Sequence, residues 1–235
     1  AAYVLFTAYP FFPPHTVHLV VVDPGVGSAR RPIALRTPAG LFVGPDNGVF
    51  SYIVAREKEV EVVELANPRY RLPSVSNTFH GRDIFSPAAA HLAAGVPLSD
   101  LGPRVDDPVL FPPPRLEVAP PVITGEVLHT DRFGNVITSI GLLLWQGQGD
   151  DLVLKPAFSP SGTSVRLTAS QVTVEAAGRE IVGIHRTYSA VERGAVLALV
   201  GSEGYLEIAV REGDGAARLG LRPGDPVVVR YRPTD

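Results

Sequence analysis

The chain contains no cysteine and no methionine. The first absence removes disulfides, thiolate metal sites and a cysteine nucleophile. Lysine is nearly absent too, with two lysines against 19 arginines. No apolar run approaches the ~20 residues of a membrane span. The sequence has no GxxxxGK[ST], so no P-loop is supported, and no GxSxG of a hydrolase elbow. It has no HExxH or HxH pair, and the spacing of Asp23, Asp46, His80 and Asp83 fits no metal template. A net charge of −3 gives no electrostatic basis for nucleic-acid binding. What remains is a globular composition: 235 residues, 45% hydrophobic and 19% charged, long enough for one large domain or two small ones. The lack of cysteine fits a cytoplasmic protein.

Strands alternate with helices in the first half. Ala1 to Phe12 reads as a short apolar helix ending at Pro13-Pro14. Val17 to Asp23 reads as a strand buried on both faces, because its apolar run is continuous. Two strands follow around Pro38-Ala39-Gly40, then a tight turn at 44–48, a helix at 49–56 and a strand at 60–65. The segment SPAAAHLAA predicts a helix with Ser86 as N-cap, Pro87 at its first position and Gly95 as its stop. This pattern predicts an α/β domain over residues 1–110, with a mostly parallel sheet and flanking helices. The opening residues read as the middle of an element, so this domain is expected to lack its first strand and helix. Residues 111–121 form a Pro-rich linker. Beyond it, short strands at 125–129, 135–139, 165–167, 180–185, 195–200, 206–210 and 227–231 predict a smaller all-β, barrel-like domain over 122–235.

Four segments carry candidate chemistry. VVVDPGVGSARR places Asp23 at a strand end and brings Arg30 back towards it through a Gly-rich loop. That pair is either a braced turn or part of a ligand site, at even odds. TFHGRDIF offers His80, able to act as acid or base near neutrality. The plainer reading, which comes first for this segment taken singly, is a loop His whose neighbours Arg82 and Asp83 fix the backbone and cap the helix. DRFGNVITSI sets Asp131, Phe133 and Asn135 at alternate positions. If extended, they could read an amine, stack a base and hydrogen-bond a purine edge. A plain β-turn at Gly134-Asn135 is the alternative. GSEGY exposes backbone N–H groups and the Ser202 hydroxyl, suited to a carboxylate or to an ordinary hairpin loop.

Together, VVDPGVGSARR, GPDNGVF, TFHGRDIFSPAAAHLA, DRFGNVITSI and GSEGYLEIAV occur in the order found in the adenosine-forming S-adenosylmethionine (SAM) hydrolases, also called SAM hydroxide adenosyltransferases. These are relatives of the fluorinase and chlorinase enzymes. The resemblance spans about Val20 to Val210 and both domains. It implies hydrolysis of SAM to adenosine and L-methionine with no cofactor or metal, and a homotrimer with sites between subunits. It puts the family's Asp–Arg–His set on Asp23, Arg30 and His80. It assigns the methionine amine to Asp131 and the adenine to Phe133, Asn135 and Tyr188. The methionine carboxylate falls to Ser202 with the Glu203 backbone, and the adenine edge to the backbone near Val210. The family's leading Asp-Phe-Gly-type segment, whose Asp holds the ribose hydroxyls, is not found in the sequence. The halogenases lack the Asp–Arg–His set, and Asp23 would repel a halide, so water is the expected nucleophile. Whether Asp23 or His80 is the base stays open at this level. A non-catalytic SAM or adenosine sensor is the alternative, but it gives Asp23, Arg30 and His80 nothing to do.

Overall fold

The computed structural model describes residues 1–158 and 162–233. The chain divides into two compact units, Ala1–Pro113 and Pro114–Asp235.

The first unit contains helix α1 (Ala2–Ala8), extended by a 3-10 turn, then strands β1 (Val17–Leu19), β2 (Pro32–Thr37) and β3 (Gly40–Pro45). Helix α2 (Ser51–Arg56), strand β4 (Glu61–Glu64), a π-helical turn (Gly81–Phe85) and helix α3 (Ser86–Ala93) follow. The sheet order is β1-β3-β2-β4. It is mixed, not mostly parallel: only β1 and β3 run parallel. The reason is local. Pro38 and Ala39 are the only residues between paired Thr37 and Gly40, and so short a connection closes only an antiparallel hairpin.

Alternation along the strands divides the core. Ala34, Val43 and Val63 pack with Ile84, Phe85, Ala88 and Leu92 of the π-turn and α3. On the opposite face, Phe42 meets the rings of Tyr9 and Phe50. The expected strand over 17–23 is shorter and less buried than its apolar run suggests. It lies at the sheet edge, ends at Leu19, and leaves Leu19, Val21 and Val22 exposed. Ser86 is not the N-cap of α3. The helix continues directly out of the π-turn, and the Ser86 hydroxyl donates backwards to the Gly81 carbonyl at 2.7 Å.

Among the described residues, the second unit is mostly strands, with one short α-helix and two 3-10 turns. Its strands are β5 (Leu116–Ala119), β6 (Val122–Thr130), β7 (Val136–Gly141), β8 (Leu143–Trp145), β9 (Asp151–Leu154) and β10 (Val165–Thr168). They continue with β11 (Thr173–Ala176), β12 (Arg179–Val182), β13 (Ile184–His185), β14 (Val196–Val200), β15 (Tyr205–Val210) and, after helix α4 (Gly215–Leu219), β16 (Pro226–Arg230). Strand β5 arises inside the Pro-rich stretch, where Leu116 to Ala119 pair with β6.

The main sheet runs β12-β11-β16-β6-β7-β15-β14-β13, with β5 added on β6. Its first and last strands are joined by Gly183 alone, at φ +80°. The chain itself therefore links the two ends of the sheet, giving a nearly closed, barrel-like wall. Strands β8, β9 and β10 form a separate small sheet. Ile123, Val136, Ile140, Leu206, Ile208 and Val227 are among the residues filling the core.

Candidate active site

The loop from Val20 to Arg31 leaves the end of β1 and returns to start β2. Two successive turns fold it: the Val26 N–H donates to the Asp23 carbonyl at 3.2 Å, and Ser28 N–H to Gly25 at 3.0 Å. Gly27 sits at φ +80°, and a Cβ there would lie 2.8 Å from the Asn77 carbonyl oxygen. Both the conformation and the close approach require glycine. The Asn47 amide ties the tight turn after β3 to this loop, donating to the Val22 carbonyl at 3.0 Å.

These turns bring Arg30 back onto Asp23. Arg30 Nε donates to Asp23 Oδ1 at 2.9 Å, and a terminal guanidinium nitrogen donates to Oδ2. That same nitrogen lies 2.7 Å from His80 Nδ1. Asp23 and Arg30 side chains are 5% and 8% exposed, so the pair is largely desolvated. The Phe85 ring faces the guanidinium at 5.2 Å. A guanidinium carries no acceptor. His80 Nδ1 must therefore accept from Arg30, which places the proton of the neutral imidazole on Nε2.

His80 is held by the π-turn behind it. A Cβ at Gly81 would approach Val21 to 3.0 Å, so this turn packs directly on the β1 extension. Asp83 is fully buried. Its carboxylate accepts from the Ser76 N–H at 2.8 Å and from Arg82 Nε at 2.6 Å, and its carbonyl accepts from the Leu72 N–H at 2.9 Å. The Arg82 hydrogen bond, aided by the Ser76 amide, holds the Asp83 carboxyl below its usual range. Asp83 thus pins the segment leading to His80, as the plainer reading of Arg82 and Asp83 has it, but neither side chain caps the helix.

The second unit assembles a different set. Residues 131–135 form a turn, not the extended segment that would align alternate side chains. The Asp131 N–H donates to the Asn135 carbonyl at 3.0 Å, and Gly134, at φ +83°, donates to the Asp131 carbonyl at 3.1 Å. Glycine at that position makes the turn possible. Asp131 Oδ1 accepts from the N–H groups of Phe133 and Asn135 at 2.8 and 2.9 Å. Its Oδ2 accepts from Asn135 Nδ2 at 3.0 Å. The Phe133 ring is 72% exposed, while Asn135 is buried.

Asn135 Nδ2 also lies 3.4 Å from the Tyr188 hydroxyl, which donates to Glu207 Oε1 at 2.5 Å. Burial, with the bond to Glu207, raises the Tyr188 phenol well above its ordinary value. Burial raises the Glu207 carboxyl as well, reinforced by the negative charges of Asp131 and Glu203 and opposed by the Tyr188 bond.

Ser202 and Glu203 are exposed in the loop between β14 and β15, closed by the Gly204 N–H donating to the Gly201 carbonyl at 3.0 Å. Val210 is buried, and its carbonyl accepts from the Gly213 N–H at 3.1 Å. The ten expected residues thus form one tight cluster in the first unit (Asp23, Arg30, His80) and one in the second (Asp131, Asn135, Tyr188). Phe133 flanks the second cluster, and Ser202, Glu203 and Val210 lie at the ends of β15. Sequence reasoning missed Glu207. Its signal was a single acid inside the otherwise apolar run YLEIAV. Among the described residues, no group of three or more His, Asp or Glu side chains is placed to hold a metal ion.

Comparison with known proteins follows this geometry. Residues 1–102 match the SAM hydroxide adenosyltransferase N-terminal domain, and residues 125–228 match its C-terminal domain. An (R)-S-adenosyl-L-methionine hydrolase of Thermus thermophilus is 40% identical over 97% of this chain and 80% of its own. A Salinispora tropica protein of the same name is 41% identical over 95% of this chain and 78% of its own. A fluorinase of Nocardia brasiliensis is 27% identical over 93% of this chain and 78% of its own. An uncharacterized conserved protein from Thermotoga maritima superposes with a TM-score of 0.80 at 33% identity, covering 98% of this chain and 82% of that one. With both domains matched in order, the chain belongs to the SAM hydroxide adenosyltransferase family.

Proposed function

We propose that this protein hydrolyses SAM to adenosine and L-methionine, with Asp23, Arg30 and His80 handling the attacking water. The observation that carries the reading is the desolvated chain Asp23–Arg30–His80, in which every hydrogen-bond direction is set by chemistry. The water oxygen bonds to C5′ as the C5′–S bond breaks. The sulfur leaves with the electron pair as the neutral thioether of methionine, and one water proton is released. The sulfonium is already an activated leaving group, so the step calls for neither metal nor cofactor. It calls for a water in line with the C5′–S bond at a near-attack distance of ~3–3.5 Å.

The tautomer divides the labour. His80, accepting from Arg30 through Nδ1, offers an Nε2–H that orients the water by donating to it. Arg30 can only donate, and it stabilises charge developing on the oxygen. Asp23, with lone pairs beyond those facing Arg30, is the acceptor for the proton. Asp131, one carboxylate position of which is not taken by its own turn, receives the methionine amine. Phe133 and Tyr188 flank the adenine, Asn135 and the backbone near Val210 meet its edge, and Ser202 with the Glu203 backbone holds the methionine carboxylate. The assembly is a cytoplasmic homotrimer. The exposed apolar residues Leu19, Val21, Val22 and Phe79 support burial of this surface on association.

The test is product analysis in ¹⁸O-water. Adenosine carrying one ¹⁸O at the 5′ position, unchanged in yield with chloride or a chelator, is expected. Halogenated nucleoside, or adenosine binding without turnover, would overturn the hydrolase reading. Asp23→Asn and His80→Ala are each expected to lower kcat by about 10²–10⁴-fold, with unchanged circular dichroism. Asparagine is chosen at position 23 because it keeps the side-chain shape and one acceptor oxygen for Arg30 while removing the carboxylate that takes the proton.

A further inference from the structure

Strand β15 reads Tyr-Leu-Glu-Ile-Ala-Val, and all six residues are buried. Leu206 and Ile208 enter the core of the second unit, while Ala209 packs with Leu197 and Leu199 in a second, smaller cluster against Val191. Glu207 therefore lies on the side of β15 opposite the main core. The pairing of β15 with β7 shifts register between Tyr205 and Glu207, an irregularity of the kind that re-aims a side chain. A buried carboxylate in a strand is costly unless it is partnered, and its partner is the Tyr188 hydroxyl.

The directions along this chain are fixed. The Asp131 carboxylate only accepts, so the amide nitrogen of Asn135 must be the end facing it. The Tyr188 hydroxyl gives its proton to Glu207 and turns a lone pair towards the second Asn135 N–H. Both amide hydrogens of Asn135 are then committed. Among the described residues none donates to Asn135 Oδ1. The group left to meet a ligand is a carbonyl oxygen, which selects a donor.

We propose that Glu207 is a positioning residue that acts through Tyr188 to lock the Asn135 amide with its oxygen outward, so that the site selects a purine bearing a 6-amino donor over one bearing a 6-oxo acceptor. The inference rests on the reading that Asn135 meets the base. Without Glu207, the Tyr188 proton is free to turn towards Asn135. The amide then loses one of its two acceptors, and Asp131 alone holds its nitrogen inward, so the oxygen-outward orientation is held less firmly.

The experiment compares the full-length wild type with Glu207→Leu, Glu207→Gln and Tyr188→Phe. It measures kcat and KM for SAM, and the Kd of adenosine and of inosine by calorimetry. Tyr188→Phe keeps the ring face and removes the hydroxyl. Glu207→Gln keeps an oxygen able to accept from Tyr188. Glu207→Leu and Tyr188→Phe are expected to raise KM and the adenosine Kd about tenfold, the scale of one hydrogen bond, with kcat within about twofold. They should also narrow the preference for adenosine over inosine. Glu207→Gln should restore both affinity and preference. Unchanged adenosine affinity or preference in Tyr188→Phe overturns the proposal, as does a Glu207→Gln variant no better than Glu207→Leu. If Glu207→Leu fails to fold, the half-exposed Tyr188 still carries the test. Failure of SAM turnover in the wild type would remove the hydrolase reading while the nucleoside titrations still decide this one.

Discussion

A lysine at position 30 would keep the positive charge and lose the arrangement that makes it useful. Arg30 holds both oxygens of Asp23 and reaches His80 with the same fork. A lysine ammonium is a point donor on a flexible stem and cannot span those three atoms at once. Because the pair is desolvated, the loss is not replaced by solvent. Arg30→Lys is therefore expected to lower kcat by about 10²-fold, the scale of one lost transition-state donor, with an unchanged circular dichroism spectrum. A rate within threefold of wild type would show that the bidentate geometry is dispensable. This pairing was legible as a question in the sequence: a seven-residue spacing across a Gly-rich loop puts an acid and an arginine in reach. The tautomer of His80 was not, because it depends on which ring nitrogen faces Arg30, fifty residues away. Glu207 escaped for a related reason. A carboxylate among apolar neighbours has no local partner, and its partner Tyr188 comes from another strand connection.

At the scale of elements, local signals predicted most strands and helices, while pairing depended on contacts the sequence does not order. The hairpin of β2 and β3 follows from its two-residue connection, and α3 from its alanine-rich run stopped by Gly95 at φ +91°. The run from Val17 to Asp23 misled because continuous hydrophobicity marks low polarity on both sides, not the presence of a neighbour on both sides. β1 has one partner, β3. Strands β8, β9 and β11 were missed because each is only three or four residues long, too short for an alternation pattern to show. β1 also carries a consequence for acid stability. The His18 ring stacks on Phe42 at 4.8 Å with Phe12 edge-on, and its Nε2 is buried without a partner. Burial lowers its folded pKa below the ordinary 6.5. The unfolded chain therefore binds this proton more readily than the folded one. The stability His18 contributes is present above pH 6.5 and is lost as pH falls through the depressed folded value. In urea titrations, wild type should lose stability relative to His18→Phe below pH 6.5, by no more than about 1.4 kcal/mol per pH unit. Parallel pH profiles for the two proteins would show that the ring is protonated without cost.

Across the whole molecule, two units with separate cores make stability a matter of which core is probed. The chain has one tryptophan, and Trp145 lies in the second unit on β8, partly buried against the barrel core. The Arg186 guanidinium sits 3.8 Å above its ring and donates to the carbonyls of Gly147 and Gly149, so the indole has a defined environment to lose on unfolding. Among the described residues, three of the four α-helices belong to the first unit. Tryptophan fluorescence therefore reports the second unit, and the helical part of the circular dichroism mainly reports the first. Ile123 is fully buried on β6, the central strand that pairs with β5, β7 and β16. Ile123→Ala removes three carbons from a packed core and is expected to destabilise the fluorescence-detected transition by about 2–5 kcal/mol. A loss below ~1 kcal/mol would mean that the wall collapses around the missing side chain. The closure of the sheet argues against that outcome. A strand held on both sides, in a sheet whose ends are joined through Gly183, has little room to shift into the space.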